Sequence, residues 1–156
     1  METVSQQYER KAIERTNRKL DAVVTLDRAA LDWRVKLDPD ETREYLSRVE
    51  SFNNCETGAL VDLTKAVDAA IGRVRYPDVD GRPNPNNGRW HHSYEVGNEG
   101  SRVLYLEVFR QSSATPGLDY QALTLTCRKA GRRALADENN IDQDDGSYFR
   151  WRWWWD

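Results

Sequence analysis

The chain contains two histidines, and they are adjacent, at His91 and His92. Both lie in a segment with the period-two pattern of a strand, where successive side chains point to opposite faces. They therefore do not readily share one metal ion, and a metal site needs about three convergent ligands. His91 and Glu95 can share a face. Either histidine becomes a catalytic candidate only in a concave pocket beside a carboxylate or a thiol; the interpretation we favour is that both are ordinary strand residues.

The two cysteines, Cys55 and Cys127, are far apart in the sequence. A cysteine nucleophile needs a histidine base and a third group that orients the base, and nothing in the order of residues requires such an arrangement. Cys127 alternates with leucines, which is typical of a small core residue. Two cysteines alone form neither a disulfide scaffold nor a four-ligand zinc site.

Two segments, 78–87 and 140–145, are rich in oxygen ligands. Calcium takes about six to eight oxygens, so both segments are candidate calcium loops. Neither matches an EF-hand, because Asp145 stands where that loop requires glycine. Asn and Asp are also normal residues of turns, so calcium binding stays an open alternative. The Asp and Asn side chains concerned are Asp78, Asp80, Asn84, Asn86, Asn87, Asn140, Asp142, Asp144 and Asp145.

The overall composition narrows the class of protein. The sequence has no phosphate-binding glycine loop, dinucleotide fingerprint or Gly-x-Ser-x-Gly elbow. Its 156 residues suit a single domain, 1–156, and 23 basic against 26 acidic residues give a net charge of −3. The apolar runs are too short to span a membrane, and no signal peptide opens the chain. We expect a non-enzymatic cytoplasmic or virion protein with no cofactor and no membrane partner.

Residues 5–75 are predicted to form about three helices. Apolar residues recur at helical spacing from Tyr8 to Leu37. The β-branched run that ends at Thr25 predicts a break or kink in this stretch. The first helix would therefore be followed by a second helical segment that contains Trp33.

The next helix start is the clearest in the chain. Asp38 is followed by proline and, at the third helical position, by Glu41, which is the pattern of a capping box. This helix is expected to bury Phe52 and to end at residues 53–54. The following helix, 57–73, has an apolar stripe at spacings of three and four, with Asp68 among the residues that point outward.

The composition changes after residue 75. Residues 76–89 hold three of the five prolines and predict a connecting loop. From residue 90 to 156 the pattern has a period of two, typical of strands. The residues Gly97 to Gly100 predict a hairpin turn. The predicted elements of this half are strands at 90–96, 102–110, 120–128 and 148–155 and a short helix at 131–139.

These elements predict an α+β domain in which an N-terminal helical layer packs on a C-terminal antiparallel sheet of about four strands. The last strand has two faces. The face expected to pack on the helices, together with Leu104, Leu106 and Val108, carries Phe149, Trp151, Trp153 and Trp155. The opposite face carries Tyr148, Arg150, Arg152 and Trp154, joined by Tyr105, Glu107 and Phe109.

Four of the six tryptophans lie in the last six residues. So many indoles are hard to bury inside an 18.1 kDa monomer, and Trp, Tyr and Arg are enriched at interface hot spots. We therefore expect a structural or assembly protein that forms a homo-oligomer or binds a protein partner, for example a capsid or coat subunit. The residues expected at the contacts are Trp151, Trp153, Trp154, Trp155 and Tyr8.

The alternative function is binding of single-stranded nucleic acid. Aromatic side chains flanked by arginines bind such strands by stacking and by phosphate contact. The negative net charge opposes this interpretation. The residues expected to carry it are Arg150, Arg152, Trp154, Tyr105 and Phe109.

The segment 110–114, Arg-Gln-Ser-Ser-Ala, resembles the strand–loop–strand segment of coat proteins from small RNA phages. The likeness covers five of 156 residues. That family places its helices after the sheet, whereas here the predicted helices precede it. The resemblance favours a virion subunit among the assembly functions and does not assign the family.

Overall fold

A computed structural model describes residues 1–29, 32–51, 55–73, 76–85, 87–109 and 117–156. It contains four helices and five strands in the order α1 (Val4–Ala29), β1 (Asp32–Leu37), α2 (Pro39–Arg48), α3 (Thr57–Ile71), β2 (His92–Glu99), β3 (Arg102–Phe109), α4 (Tyr120–Arg133), β4 (Glu138–Asp144) and β5 (Tyr148–Trp154). Several predictions lie outside the described residues: Phe52, Asn86, and the segment 110–114 with its phage-coat likeness. The expected helix end at 53–54 is wrong, because α2 ends at Arg48 and the backbone of Val49 is extended.

The predicted α+β class is confirmed. The strands form one antiparallel sheet in the order β1-β2-β3-β5-β4, with five strands where about four were expected. The described helices pack against one side, the inner face, which contributes all three of Trp151, Trp153 and Trp155 to the core. We call the opposite side of the sheet the outer face.

Helix α1 and strand β1 correct the prediction for residues 5–37. α1 continues through Thr25 without a break, and the Thr25 hydroxyl donates to the Asp21 carbonyl at 2.9 Å. Trp33 lies in a strand, not a helix. The signal was present, because apolar Trp33, Val35 and Leu37 alternate with charged residues at a period of two.

Helices α2 and α3 form largely as predicted. The Asp38 carboxylate accepts the Glu41 backbone N–H at 2.7 Å, and the Glu41 side chain accepts the Asp38 N–H at 3.0 Å, so the capping box is confirmed. α3 ends at Gly72, whose φ of +80° suits glycine. The expectation that Asp68 points outward is wrong, because this side chain is buried at the interface of α3 with the sheet.

Residues 120–144 differ most from the prediction. The expected strand 120–128 is helix α4, capped by Asp119, whose carboxylate accepts the N–H groups of Gln121 and Ala122. Leu123 and Cys127 are buried, which both a strand and a helix would allow, but Leu125 is 65% exposed. Helical spacing explains this, since Leu123, Cys127 and Ala130 share one helix face. The expected helix 131–139 contributes only its start to α4, and β4 follows it.

The hairpin of β2 and β3 is confirmed, although β2 extends through Glu99 into the expected turn and leaves Gly100 and Ser101 between the strands. β5 pairs with β3, and its side chains alternate between the two predicted faces. In the described part of the chain, no helix combines the length and apolarity needed to cross a membrane.

Candidate functional site

The outer face brings together the residues predicted to bind nucleic acid. Tyr105 lies directly opposite Arg152, and Phe109 opposite Tyr148, across the β3–β5 ladder. Arg150 lies opposite Glu107 in the same ladder. The alternation of β5 was therefore sufficient to predict which of its own side chains share this face.

Arg150 is held by carboxylates of three other strands. Its guanidinium donates to Glu107 at 2.6 Å and to Glu95 at 3.3 Å, and Nε lies 3.1 Å from Asp142. It also covers Tyr105, with its central carbon 4.0 Å from the ring centre. Tyr105 is consequently buried and offers no ring surface for a base to stack on.

Arg152 is paired in the same way. It donates to Glu99 at 3.1 Å, contacts Glu138, and donates through Nε to the Tyr105 hydroxyl at 3.2 Å. Arg34 of the edge strand β1 adds a further pair to Glu99 at 3.6 Å. The two arginines expected to contact phosphate therefore already bind carboxylates of their own chain.

The charges of the outer face compensate one another. The cations are Arg34, Lys36, Arg150 and Arg152, and the carboxylates paired with them are Glu95, Glu99, Glu107, Glu138 and Asp142. Burial alone would raise the pKa of Glu107, but its bond from Lys36 at 2.7 Å and the charge of Arg150 lower that pKa on balance. A phosphate would have to displace these carboxylates.

Three of the residues expected at subunit contacts lie in the core instead. Trp151, Trp153 and Trp155 are fully buried, and their indole N–H groups donate to Asn139, to the Cys127 carbonyl and to the Ala134 carbonyl. The single chain buries these three indoles, which we expected to be hard to bury, because α4 covers the β5 side of the sheet. Trp154 is half-buried on the outer face, where its N–H donates to the Glu99 carbonyl at 3.2 Å.

Tyr8, the remaining predicted contact residue, lies on an exposed part of α1. Residues 4–19 of α1 are all exposed, and we call them the free segment of α1; at its end, Asn17 and Lys19 bind Arg48 and Glu41 of α2. Tyr8 is 70% exposed. Leu20 is the first residue of the helix that the domain buries.

A buried polar cluster was not predicted from the sequence. Asp68 accepts hydrogen bonds from the Nε2–H of His92 at 2.6 Å and from the Tyr94 hydroxyl at 2.7 Å, and its other oxygen contacts Arg43. These residues come from α2, α3 and β2. The one sequence signal was the position of Asp68 directly after Val67 in the apolar stripe of α3. We call these four residues the Asp68 cluster.

The histidine of the Asp68 cluster is closed to substrates. The His92 side chain has no exposed surface, and the ring lies between those of Trp90 and Tyr94 at centre distances of 5.3 and 5.7 Å. Burial would raise the pKa of Asp68, but the bonds from His92, Tyr94 and Arg43 lower it on balance, so the carboxylate stays ionised. The arrangement joins the helices to the sheet and gives His92 no access to a reacting molecule.

The acidic residues near 140–145 have partners within the chain. Asp142 binds Arg150, and Asp145 accepts from Ser147 and Gln143. Within the ranges that the structure describes, no group of three or more His, Cys, Asp or Glu side chains is arranged to hold a metal ion. Comparison with known proteins adds no family: no family model matches the chain, and neither does a curated protein or a solved structure.

Proposed function

We propose that this protein is a non-enzymatic structural subunit that self-associates through the free segment of α1. A particle or filament subunit is one concrete form of this function. The observation that carries the proposal is a row of apolar and small side chains that continues from the buried end of α1 along its exposed part. The row consists of Val4, Tyr8, Ala12, Thr16, Leu20 and Val24.

The spacing of this row is four residues throughout, so its members form one ridge that is inclined by about 26° to the helix axis and winds slowly around the helix. Leu20 is fully buried by the domain, whereas Val4 and Tyr8 are 69% and 70% exposed. Two such ridges pack into each other's grooves at a crossing angle of about 50°. A second copy of α1 therefore offers a matching surface for the exposed half of the ridge.

The length of the free segment supports the same conclusion. Sixteen helical residues extend about 24 Å. Most of the stability of helices in proteins comes from tertiary packing of an apolar face, and the free segment has no such packing in the domain. The Thr3 hydroxyl accepts the Gln6 N–H at 3.1 Å, and the Gln6 side chain accepts the Thr3 N–H at 2.9 Å. These two bonds cap the N-terminus of the helix. Packing against another copy supplies the missing apolar contact.

The proposal is tested by absolute mass from light scattering, with absorbance at 260 and 280 nm recorded together. We expect wild-type protein that has been freed of nucleic acid at high salt to exceed the monomer mass of 18.1 kDa, with no excess absorbance at 260 nm in that preparation. The double substitution Tyr8→Glu and Ala12→Glu places two charges on the ridge and should give monomers. Both positions are exposed, so the fold should be retained and can be checked by circular dichroism.

A matched control adds the same two charges beside the ridge. Gln6→Glu and Gln7→Glu lie on other faces of the same helix turn, and Glu at position 6 preserves the cap. This variant should assemble like the wild type. A wild-type monomer at micromolar to millimolar concentration, or equal loss of mass in both variants, would refute the proposal.

The alternative of nucleic-acid binding by the outer face is less favoured. Arg150 and Arg152 are bound to carboxylates, and Tyr105 is covered. Absorbance at 260 nm in the same experiment reports on bound nucleic acid.

A further inference from the structure

The charge of helix α4 differs from that of the rest of the protein. α4 contains four basic residues and no acidic residue, giving a net charge of +4, while the whole chain has a net charge of −3. The other residues therefore sum to −7. The basic residues fall within six positions of one another: Arg128, Lys129, Arg132 and Arg133.

These four side chains point away from the core. Leu123, Cys127 and Ala130 face inward, and all four basic residues are exposed. Arg128 with Arg132, and Lys129 with Arg133, are each four residues apart and so form two adjacent rows. Neighbours in a row have Cβ atoms about 5–6 Å apart. The result is a dense positive surface at the C-terminal end of the helix.

The cations of α4 also lack the carboxylate partners that the cations of the outer face have. On the outer face, Arg34, Lys36, Arg150 and Arg152 are all bound by carboxylates. In the described residues, Lys129, Arg132 and Arg133 form no ion pair, and Arg128 contacts only the Trp151 ring, at 5.6 Å. Asp62 of α3 lines the same groove as Lys129 and Arg133, a groove of about 310 Å³, without pairing to either.

Part of this charge complements the helix dipole, which favours cations in the last turn of a helix. That effect falls off beyond the last turn, which holds Arg132 and Arg133. Four adjacent cations repel one another, and a negatively charged partner would lower that repulsion. A chain of phosphates supplies closely spaced negative charges without needing a shaped pocket.

We propose that the outward surface of α4 binds the phosphate backbone of a nucleic acid, through Arg128, Lys129, Arg132 and Arg133. This site is distinct from the outer sheet face and from the ridge of α1. Contacts of this kind position a strand and carry no sequence information directly. A subunit that self-associates would present many copies of this surface, so that weak contacts add through multivalency.

The test uses full-length protein and a fluorescein-labelled single-stranded oligodeoxythymidylate, with binding followed by anisotropy between about 50 and 200 mM NaCl. For four phosphate contacts on a single strand, the slope of log K against log salt should be about −2.8. The variant Lys129→Gln, Arg132→Gln, Arg133→Gln should reduce the slope to about −0.7. Arg128 is kept because it contacts Trp151.

The matched control removes three cations from α1 instead. Lys11→Gln, Arg15→Gln, Arg18→Gln changes the net charge by the same amount at positions that are equally exposed. This variant should keep the wild-type slope and affinity. Absence of wild-type binding at 50 mM salt would overturn the proposal, and so would equal weakening in both variants, which would indicate a net-charge effect. Retained folding of both variants is checked by thermal unfolding.

Discussion

The Nε2 atom of His92 lies 2.6 Å from Oδ1 of Asp68, and neither side chain is more than 6% exposed. The contact joins β2 to α3, and the same carboxylate contacts Arg43 of α2. Three elements that are far apart in the sequence therefore share one buried charge. Because a buried charge is stable only when it is well paired, this cluster fixes how α2 and α3 sit on the sheet.

Replacement of Asp68 by asparagine should destabilise the protein by about 3 kcal/mol, since it removes one partner of a buried ion pair. Arg43 would lose its buried counter-charge, and its exposed pair with Asp40 is worth little. Urea denaturation measures the change. The control Asp62→Asn lies on the exposed side of the same helix and should change stability by less than about 0.5 kcal/mol. Equal effects at the two positions would contradict the role of the cluster.

The stabilisation from Asp68 should depend on pH. Its pKa in the folded protein is lowered from 3.8, because the hydrogen bonds from His92, Tyr94 and Arg43 outweigh the effect of burial. The contribution is therefore fully present above pH 3.8 and is lost as the pH falls through the lower pKa of the folded state. The difference in unfolding free energy between wild type and Asp68→Asn should be constant from pH 5 to 7 and shrink below about pH 4. A difference that widens on acidification would contradict this assignment.

The two helical glycines should respond to alanine in opposite directions. At Gly131, a Cβ atom would lie 2.6 Å from atoms of Asn139 and Trp153, so Gly131→Ala should cost about 2 kcal/mol despite its better helix propensity. At Gly58, a Cβ atom meets nothing within 4 Å, and Gly58→Ala should stabilise by about 0.5–1 kcal/mol. Chemical denaturation of the two variants side by side gives the comparison, and stabilisation by Gly131→Ala would show that α4 is not packed closely on β4 and β5.

Neighbouring tryptophans of β5 should differ sharply in their effect on stability. Trp153 is fully buried, so Trp153→Ala should cost about 3–5 kcal/mol and lower the melting temperature by about 10 °C. Trp154 is half-buried on the outer face, and Trp154→Ala should lower it by about 3 °C. Calorimetry measures both. Similar losses would mean that the two faces of β5 are buried to the same extent.

Local patterns predicted much of the fold. The capping residues Asp38 and Glu41 act within one helix turn, and the alternation along β5 assigns Trp153 and Arg152 to opposite faces whatever they contact. The prediction failed where two periodicities coexist. Leu123, Leu125 and Cys127 alternate like a strand, while Leu123, Cys127 and Ala130 share a helix face, and packing against Trp153 decides between them.

The candidate sites were predictable only in part. The row of α1 that contains Tyr8 is visible in the sequence because its members are four residues apart. That row continues beyond the domain only because the rest of the chain covers α1 from Leu20 onward, which is a property of the packing.

The sequence by itself determined which residues share a strand face or a helix face, because those relationships depend on backbone geometry over a few residues. Only the tertiary structure decided what each face meets. It placed Trp151 in the core, neutralised Arg150 with carboxylates from three other strands, and joined Asp68 to His92. These outcomes depend on contacts between residues 8 to 55 positions apart, and no local pattern encodes which two residues come into contact.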